Sequence, residues 1–432
     1  MSALPKAVPA VPAASFSTVL ILGTLAAGTA LGPWSSKIAG ATWLVWSLWG
    51  LLVGLGPRFG ARPAPHPGLP AARWLFFGFA ITTVLALCKA LYWHDPFDEM
   101  YGYLRLTLSA AAACWVLERV LLPAATAAMA LRVLAVQCIA ALICLASLAW
   151  RYYGMDFRNM LPANAIPWAQ AVAFAVCLLM PAALAGRVRP GTRAFLWLGV
   201  ALGGATVLAS LSRGAYGIFF WMGWLLAARW RDVHGRWPWG RLSVLGAAFC
   251  LALAAVWCVP GDPLRLRLAE KEISQAETHS VFDTSLGTRM YLWTMAWQGL
   301  KDSPWMGVGE TERMYRIKHA GEELPPAQRE GLAYVRTMGH VHNQYLHAAL
   351  DGGILGLAGM AALILGMAVA AWRLRAVDKS ASRQMQGLLF VHTLGGMSNV
   401  NFAHTYYVVT LAVATAAVFV CMRPAPPAIA QP

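Results

Sequence analysis

Apolar runs long enough to cross a bilayer constrain this chain more than any other feature. They recur near residues 14–32, 39–56, 74–92, 103–121, 126–150, 167–186, 193–211, 215–230, 242–260, 346–372, 384–401 and 405–422. About 20 residues of helix span the hydrocarbon core. Backbone groups in lipid must be satisfied within the segment, so each run is expected to be helical. The reading is an all-α polytopic membrane protein with about 12 transmembrane helices, forming a single membrane domain over residues 1–432. Composition agrees: 59% of residues are hydrophobic and 12% charged. A soluble domain carries about 25% charged residues, so a large soluble enzyme is excluded.

Charge sets the orientation. The formal net charge is +15, but the segment 261–341 holds eleven acids and ten bases. The excess of arginine lies in short loops at 57–73, 187–193, 231–241 and 373–383. With alternating spans these loops share one side, expected to be cytoplasmic together with both termini. Basicity spread in this way is not a nucleic-acid patch. The eight cysteines show no CxxC pair and read as packing residues. The N-terminus lacks a charged n-region, so the first run is expected to stay as a helix.

The segment 261–341 is expected on the opposite, periplasmic side, as one large loop between spans nine and ten. A connection of that length is usually functional. Within it, Arg289 to Leu300 reads as an amphipathic helix with Met290, Trp293, Met295 and Trp297 on one face, ended by Asp302-Ser303-Pro304.

The same outer side gathers the residues that carry chemistry. Met338 to Leu357 holds His340, His342 and His347 and then runs into the tenth span through Gly352, Gly353 and Gly356. Titratable groups at a membrane edge are functional candidates by default. Ser212-Arg213-Gly214 makes a tight outer turn between spans seven and eight, and Arg289 opens the amphipathic helix. A guanidinium binds phosphate in a planar fork. A histidine titrates near neutrality, as a general base should. No nucleotide is available outside the cytoplasm, so a group donor there must be membrane-embedded and carry its own leaving group. A lipid diphosphate meets that need. Simpler readings stand beside this one. Arg213 and Arg289 could snorkel to the interface, the three histidines could hold zinc, and Lys89 and Arg105, which could hold phosphate beside the first outer loop, also suit snorkelling.

These residues resemble a known family. His342-Asn343, nine residues, Gly353, two residues and Gly356 match the H-N-x9-G-x2-G pattern of the bacterial O-antigen ligase and polymerase superfamily. Ser212-Arg213-Gly214 is similar to that family's arginine turn. Arg289 with Trp293, Pro304, Gly307 and Gly309 is similar to its periplasmic-loop motif. The resemblance covers roughly residues 200–365 and the general layout. It implies a GT-C-like membrane glycosyltransferase of the inner membrane, with inversion at the sugar carbon and neither metal nor cofactor. The implied donor is O-antigen on undecaprenyl diphosphate, and the implied acceptor is lipid A-core. Carried over by motif, Arg213 and Arg289 would hold the diphosphate and His342 would activate the acceptor hydroxyl. Lys89, Arg105 and His340 form a second tier. O-antigen ligase is the expected activity, with polymerase or protein O-oligosaccharyltransferase as alternatives in the superfamily. An anionic-lipid transporter is the rival of a different class, favoured by matching broken halves that the chain does not display.

Overall fold

The computed structural model describes residues 31–56, 66–119, 164–185, 189–258, 266–279 and 281–420, with Leu25, Gly28, Thr29 and Met422 besides. Among these residues the structure is helical and no strand occurs. In chain order the helices are α1 (Ser36–Leu55), α2 (Leu69–Trp93), α3 (Asp98–Arg119), α4 (Ala165–Leu184), α5 (Pro190–Ala209), α6 (Gly217–His234) and α7 (Trp239–Cys258). There follow α8 (Leu266–His279), α9 (Ser285–Asp302), α10 (Gly309–Lys318), α11 (Pro326–Glu330), α12 (Gln344–Val377), α13 (Lys379–Gly396) and α14 (Thr405–Val420).

Five of them, α1, α2, α4, α5 and α12, are long and apolar enough to cross a membrane, and α14 is a shorter apolar helix. The chain is an all-α polytopic membrane protein. The expected spans near 14–32 and 126–150 lie wholly or largely outside the described residues, as do Arg58, Arg62 and Arg187 in the basic loops. The helix α4 is central: 94% of its apolar window is buried, against 28% in α1. An apolar helix covered all round belongs inside a bundle, whereas one left open on a side faces lipid.

Small residues bring α2 and α12 together. A side chain at Gly78 would meet the Gly366 backbone at 2.7 Å. Nearby, Thr82 Oγ1 donates to the Gly359 carbonyl at 2.8 Å. Helices in lipid pack through close approach and hydrogen bonding rather than through expulsion of water. This crossing fixes α12, the helix that carries the candidate site at its first turn.

Residues 281–350 form a subsidiary layer with its own apolar core, including Leu292, Ala296, Ile317, Val335, Val341 and Leu350. The expected amphipathic helix is α9, four residues longer at its start, with Thr284 as the N-cap accepting from Gly287 N–H. Arg289 therefore sits in its second turn. The buried stripe is Thr288, Leu292, Met295, Ala296 and Gly299, not the face through Met290, Trp293 and Trp297. Trp297 is 53% exposed. Its indole lies under the Lys301 ammonium at 5.7 Å.

Candidate active site

The residues of the H-N-x9-G-x2-G stretch each take a distinct structural part. His342 has φ 55°, one of three non-glycine residues with positive φ among the described residues. Such a conformation is sparsely populated and persists where the surroundings enforce it. Asn343 is the N-cap of α12, its side chain accepting from Tyr345 N–H at 3.0 Å and Leu346 N–H at 3.1 Å. Gly353 breaks the helix with φ 56° and ψ −141°.

That break is filled by the turn after α9. Ile354 N–H donates to the Pro304 carbonyl at 2.8 Å, and Val308 N–H donates to the Leu350 carbonyl at 2.8 Å. A Cβ on Gly353 would meet the Pro304 oxygen at 2.6 Å, and one on Gly307 would meet the Asp351 backbone at 2.5 Å. The two glycine motifs are thus the two halves of one backbone junction. It anchors residues 304–308 to the bundle, and with them the C-terminal end of the Arg289 helix. Trp293 of α9 completes the link, donating from Nε1 to the Val341 carbonyl at 3.0 Å, one residue before His342.

Three imidazoles gather at this point. The His340 and His342 rings are 4.4 Å apart edge to face, and His404, which precedes α14, lies 6.2 Å from His340. His342 Nε2 rests 3.2 Å from Met338 Sδ, a weak partner that a hydroxyl can displace. The buried Asn399 side chain neighbours the same ring, whose Nδ1 has no hydrogen-bond partner among the described residues. Burial, and then the neighbouring Arg289 guanidinium, lower the His342 pKa to about 4. Burial, and then His342, lower His340 to about 2. His404 is lowered by burial as well. The cluster is therefore neutral at physiological pH, and His340 Nδ1 and His404 Nε2 are buried without a hydrogen-bond partner among the described residues.

The Arg213 turn packs against the segment that leads to this site. A side chain at Gly214 would collide with Ser398, and Ser398 is the neighbour of Asn399. Leu211, two residues before Arg213, is another non-glycine residue with positive φ, at 52°. Segment 398–404 thus lies between the arginine turn and His342, and Phe402 N–H ties it to Gln344 Oε1 at 3.1 Å.

Residues 198–361 match the family described as O-antigen ligase. Over that stretch the chain is similar to the O-antigen ligase and polymerase superfamily. The match contains Arg213, Arg289 and His342. No curated protein matches the chain. The likeness points to a glycosyltransferase-like enzyme of the membrane.

Below the histidines, the protein carries a second polar cluster. Lys89 of α2 pairs with Glu99 of α3 and lies 3.8 Å from Asp351 of α12. Arg313 of α10 donates from Nε to Asp351 at 2.8 Å and lies 3.2 Å from Glu310. It also donates to the Gly339 carbonyl. Burial would lower the Arg313 pKa, but Asp351 and Glu310 outweigh it and hold the guanidinium above its ordinary value. His347 Nε2 is 3.6 Å from Asp351. Asp95, from the loop after α2, accepts from Glu310 N–H at 2.8 Å and so caps α10. A carboxylate there complements the positive end of the helix.

The structure thus divides the expected residues. His340 and His342 meet each other, Arg289 flanks His342, and the Arg213 turn abuts the adjoining segment. His347 instead joins the lower cluster, so the three histidines of the zinc reading are split between two sites. Lys89 has its charge answered by two carboxylates. Arg105 lies on α3, half-buried, and its carbonyl accepts from Trp43 Nε1 at 2.9 Å. Ligand atoms of Glu99, His347 and Asp351 lie within 4.8 Å of one another. A metal ion there would have to displace Lys89 and Arg313 from the carboxylates they already neutralise.

Proposed function

We propose that the protein is an O-antigen ligase, acting on the periplasmic face of the inner membrane. It takes glycan from undecaprenyl diphosphate and passes it to a hydroxyl of lipid A-core. The observation that carries this reading is the juxtaposition of His342 with Arg289, a neutral imidazole and a guanidinium drawn from two distant parts of the chain. The acceptor O–H gives its proton to His342 as its oxygen bonds to the sugar anomeric carbon. The bond from that carbon to the diphosphate breaks, with inversion, and undecaprenyl diphosphate leaves. Arg213 and Arg289 hold the charge that grows on the departing diphosphate, a task suited to a bidentate fork. The steps call for no metal ion.

The lowered pKa of His342 fits an ordered reaction. Burial is the first cause of the shift and Arg289 adds to it. A dianionic diphosphate on Arg289 neutralises that charge, and removing a positive neighbour raises an imidazole pKa. Donor binding therefore strengthens the base just when it is needed. Lipopolysaccharide electrophoresis of a deletion strain tests the assignment. A ligase leaves lipid A-core bare while long lipid-linked glycan accumulates. Core bearing a single repeat would make the enzyme a polymerase. Intact lipopolysaccharide with unglycosylated protein would make it a protein-directed transferase.

A further inference from the structure

At the end of α12 remote from His342, a cavity of about 210 Å³ opens between α6, α12 and α13. It is lined by Arg231, Arg375, Lys379 and Arg383 against a single carboxylate, Asp232. Asp232 takes the Arg383 guanidinium at 2.5 Å and lies 3.9 Å from Arg231. One carboxylate shared by two arginines leaves the cavity strongly positive. Arg375 and Lys379 at its mouth are exposed.

Helix dipoles do not account for this arrangement. Cations suit the last turns of α6 and α12, where Arg231 and Arg375 lie. Lys379 and Arg383 sit in the first two turns of α13, where the dipole opposes a cation and favours an anion. The lining also contains an unanswered acceptor. Gln386 gives its Nε2 hydrogen to Ser382 Oγ at 3.4 Å, while its buried Oε1 has no hydrogen-bond partner among the described residues. A ligand that fits brings negative charge and a hydroxyl donor together.

The cavity exceeds the roughly 30 Å³ share of one water several-fold, and it is small beside a pocket for a drug-sized molecule, about 300–1,000 Å³. Its rim points to a lipid. Trp224 lines it at 44% exposure, and Phe220, one turn earlier on α6, is 62% exposed. An apolar strip leading from a basic pocket suits an acyl chain beneath a headgroup. We propose that this cavity is a binding site for an anionic phospholipid, its phosphate held by Arg375, Lys379 and Arg383 and a headgroup hydroxyl donated to Gln386 Oε1. The site is independent of the transfer reaction assigned above.

Native mass spectrometry and thermal melting of the purified full chain test the assignment, with phosphatidylglycerol, phosphatidylcholine and inorganic phosphate as separate probes. Phosphatidylglycerol should be retained and should raise the melting temperature, while phosphatidylcholine should do neither. Arg375→Gln with Lys379→Gln removes two exposed cations outside the Asp232 pairs. It should weaken phosphatidylglycerol retention roughly thirty-fold without lowering the melting temperature in phosphatidylcholine. Gln386→Leu should narrow the preference for phosphatidylglycerol over phosphatidic acid, which lacks the glycerol hydroxyls. Equal retention of the charged and zwitterionic lipids would overturn the proposal, as would retention unchanged in the double variant. Protection by inorganic phosphate equal to that by phosphatidylglycerol would overturn the lipid assignment and leave a free-anion site.

Discussion

Two polar clusters hang from the first turns of α12 and are built in opposite ways. In the lower one, Lys89 and Arg313 answer Glu99, Asp351 and Glu310, and four helices contribute. In the upper one, His340, His342 and His404 crowd together beside Arg289, with imidazole nitrogens left unsatisfied. A buried charge without a partner is costly, and so is a buried polar atom without a hydrogen bond. The lower cluster answers each charge with an opposite one, leaving Asp351 Oδ2 and His347 Nδ1 as its atoms without a hydrogen bond among the described residues, and its ion pairs lock α10 to α2, α3 and α12. The upper cluster bears the cost, as a site does when its missing partner is a substrate. The two lie close along the chain: His342 stands just before α12, and His347 and Asp351 of the lower cluster follow within its first turns.

The widest effect expected on this contrast comes from the upper cluster. His342→Ala should lower transfer by about a hundred- to ten-thousand-fold while the fold and donor binding persist. His340→Ala and His404→Ala should cost less, since neither ring carries the proton in this account. Purified protein, lipid-linked glycan and lipid A-core in detergent provide the comparison. Wild-type turnover in His342→Ala would end the base assignment.

Breaking the lower cluster on one side should act on stability instead. Arg313→Met leaves Asp351 short of a partner in the bundle, at a cost of about 3–5 kcal/mol, read as a fall in melting temperature. Adding Asp351→Leu should return part of the loss, because an apolar pair tolerates burial. Full stability in the single variant would mean that the pair does not clamp α10.

The arginines come next. Arg213→Lys and Arg289→Lys keep the charge but lose the fork. Transfer should fall roughly ten- to hundred-fold, matching the loss of one charge-assisted contact, with normal expression. Two fully active lysine variants would reduce both residues to interfacial anchors. Smallest is Gly353→Ala. The added Cβ would face Pro304 and Trp305 at φ 56°, a strain of about 1–3 kcal/mol. Limited proteolysis after residue 300 should quicken as the 304–308 turn loosens, and an unchanged digestion pattern would count against the backbone junction.

The layout of the bundle was legible because length and apolarity of a segment decide it. The expected run at 346–372 became α12, Gln344–Val377, and that at 74–92 became α2, Leu69–Trp93. Gly353 and Gly307 were legible as members of two separate motifs, but not as partners of each other, since pairing is a tertiary fact. Lys89 was legible only as a cation beside the first outer loop, able to hold phosphate or to snorkel, and its carboxylate partners were not. Arg313 was not legible either, being one of ten bases in a mixed-charge segment. Asn399 and His404 left no sign at all. They lie beyond the stretch that matches the family and share no spacing with His342, and only the return of the chain through 398–404 brings them to the site. The tryptophan face assigned to α9 failed for a related reason: Trp297 sits at the rim of its layer, where its indole meets Lys301 rather than the core.

The most direct test of the central claim is the pH dependence of transfer by the purified protein. A base must be neutral to act, so the rate falls as pH drops through the pKa of His342. The limb in kcat/KM for the donor, which reports the free enzyme, should lie near about 4. The limb in kcat should lie higher, because the bound diphosphate neutralises Arg289, and His342→Ala should erase both. Coincident limbs near the ordinary imidazole value of about 6.5, or an acid limb that survives His342→Ala, would contradict the account.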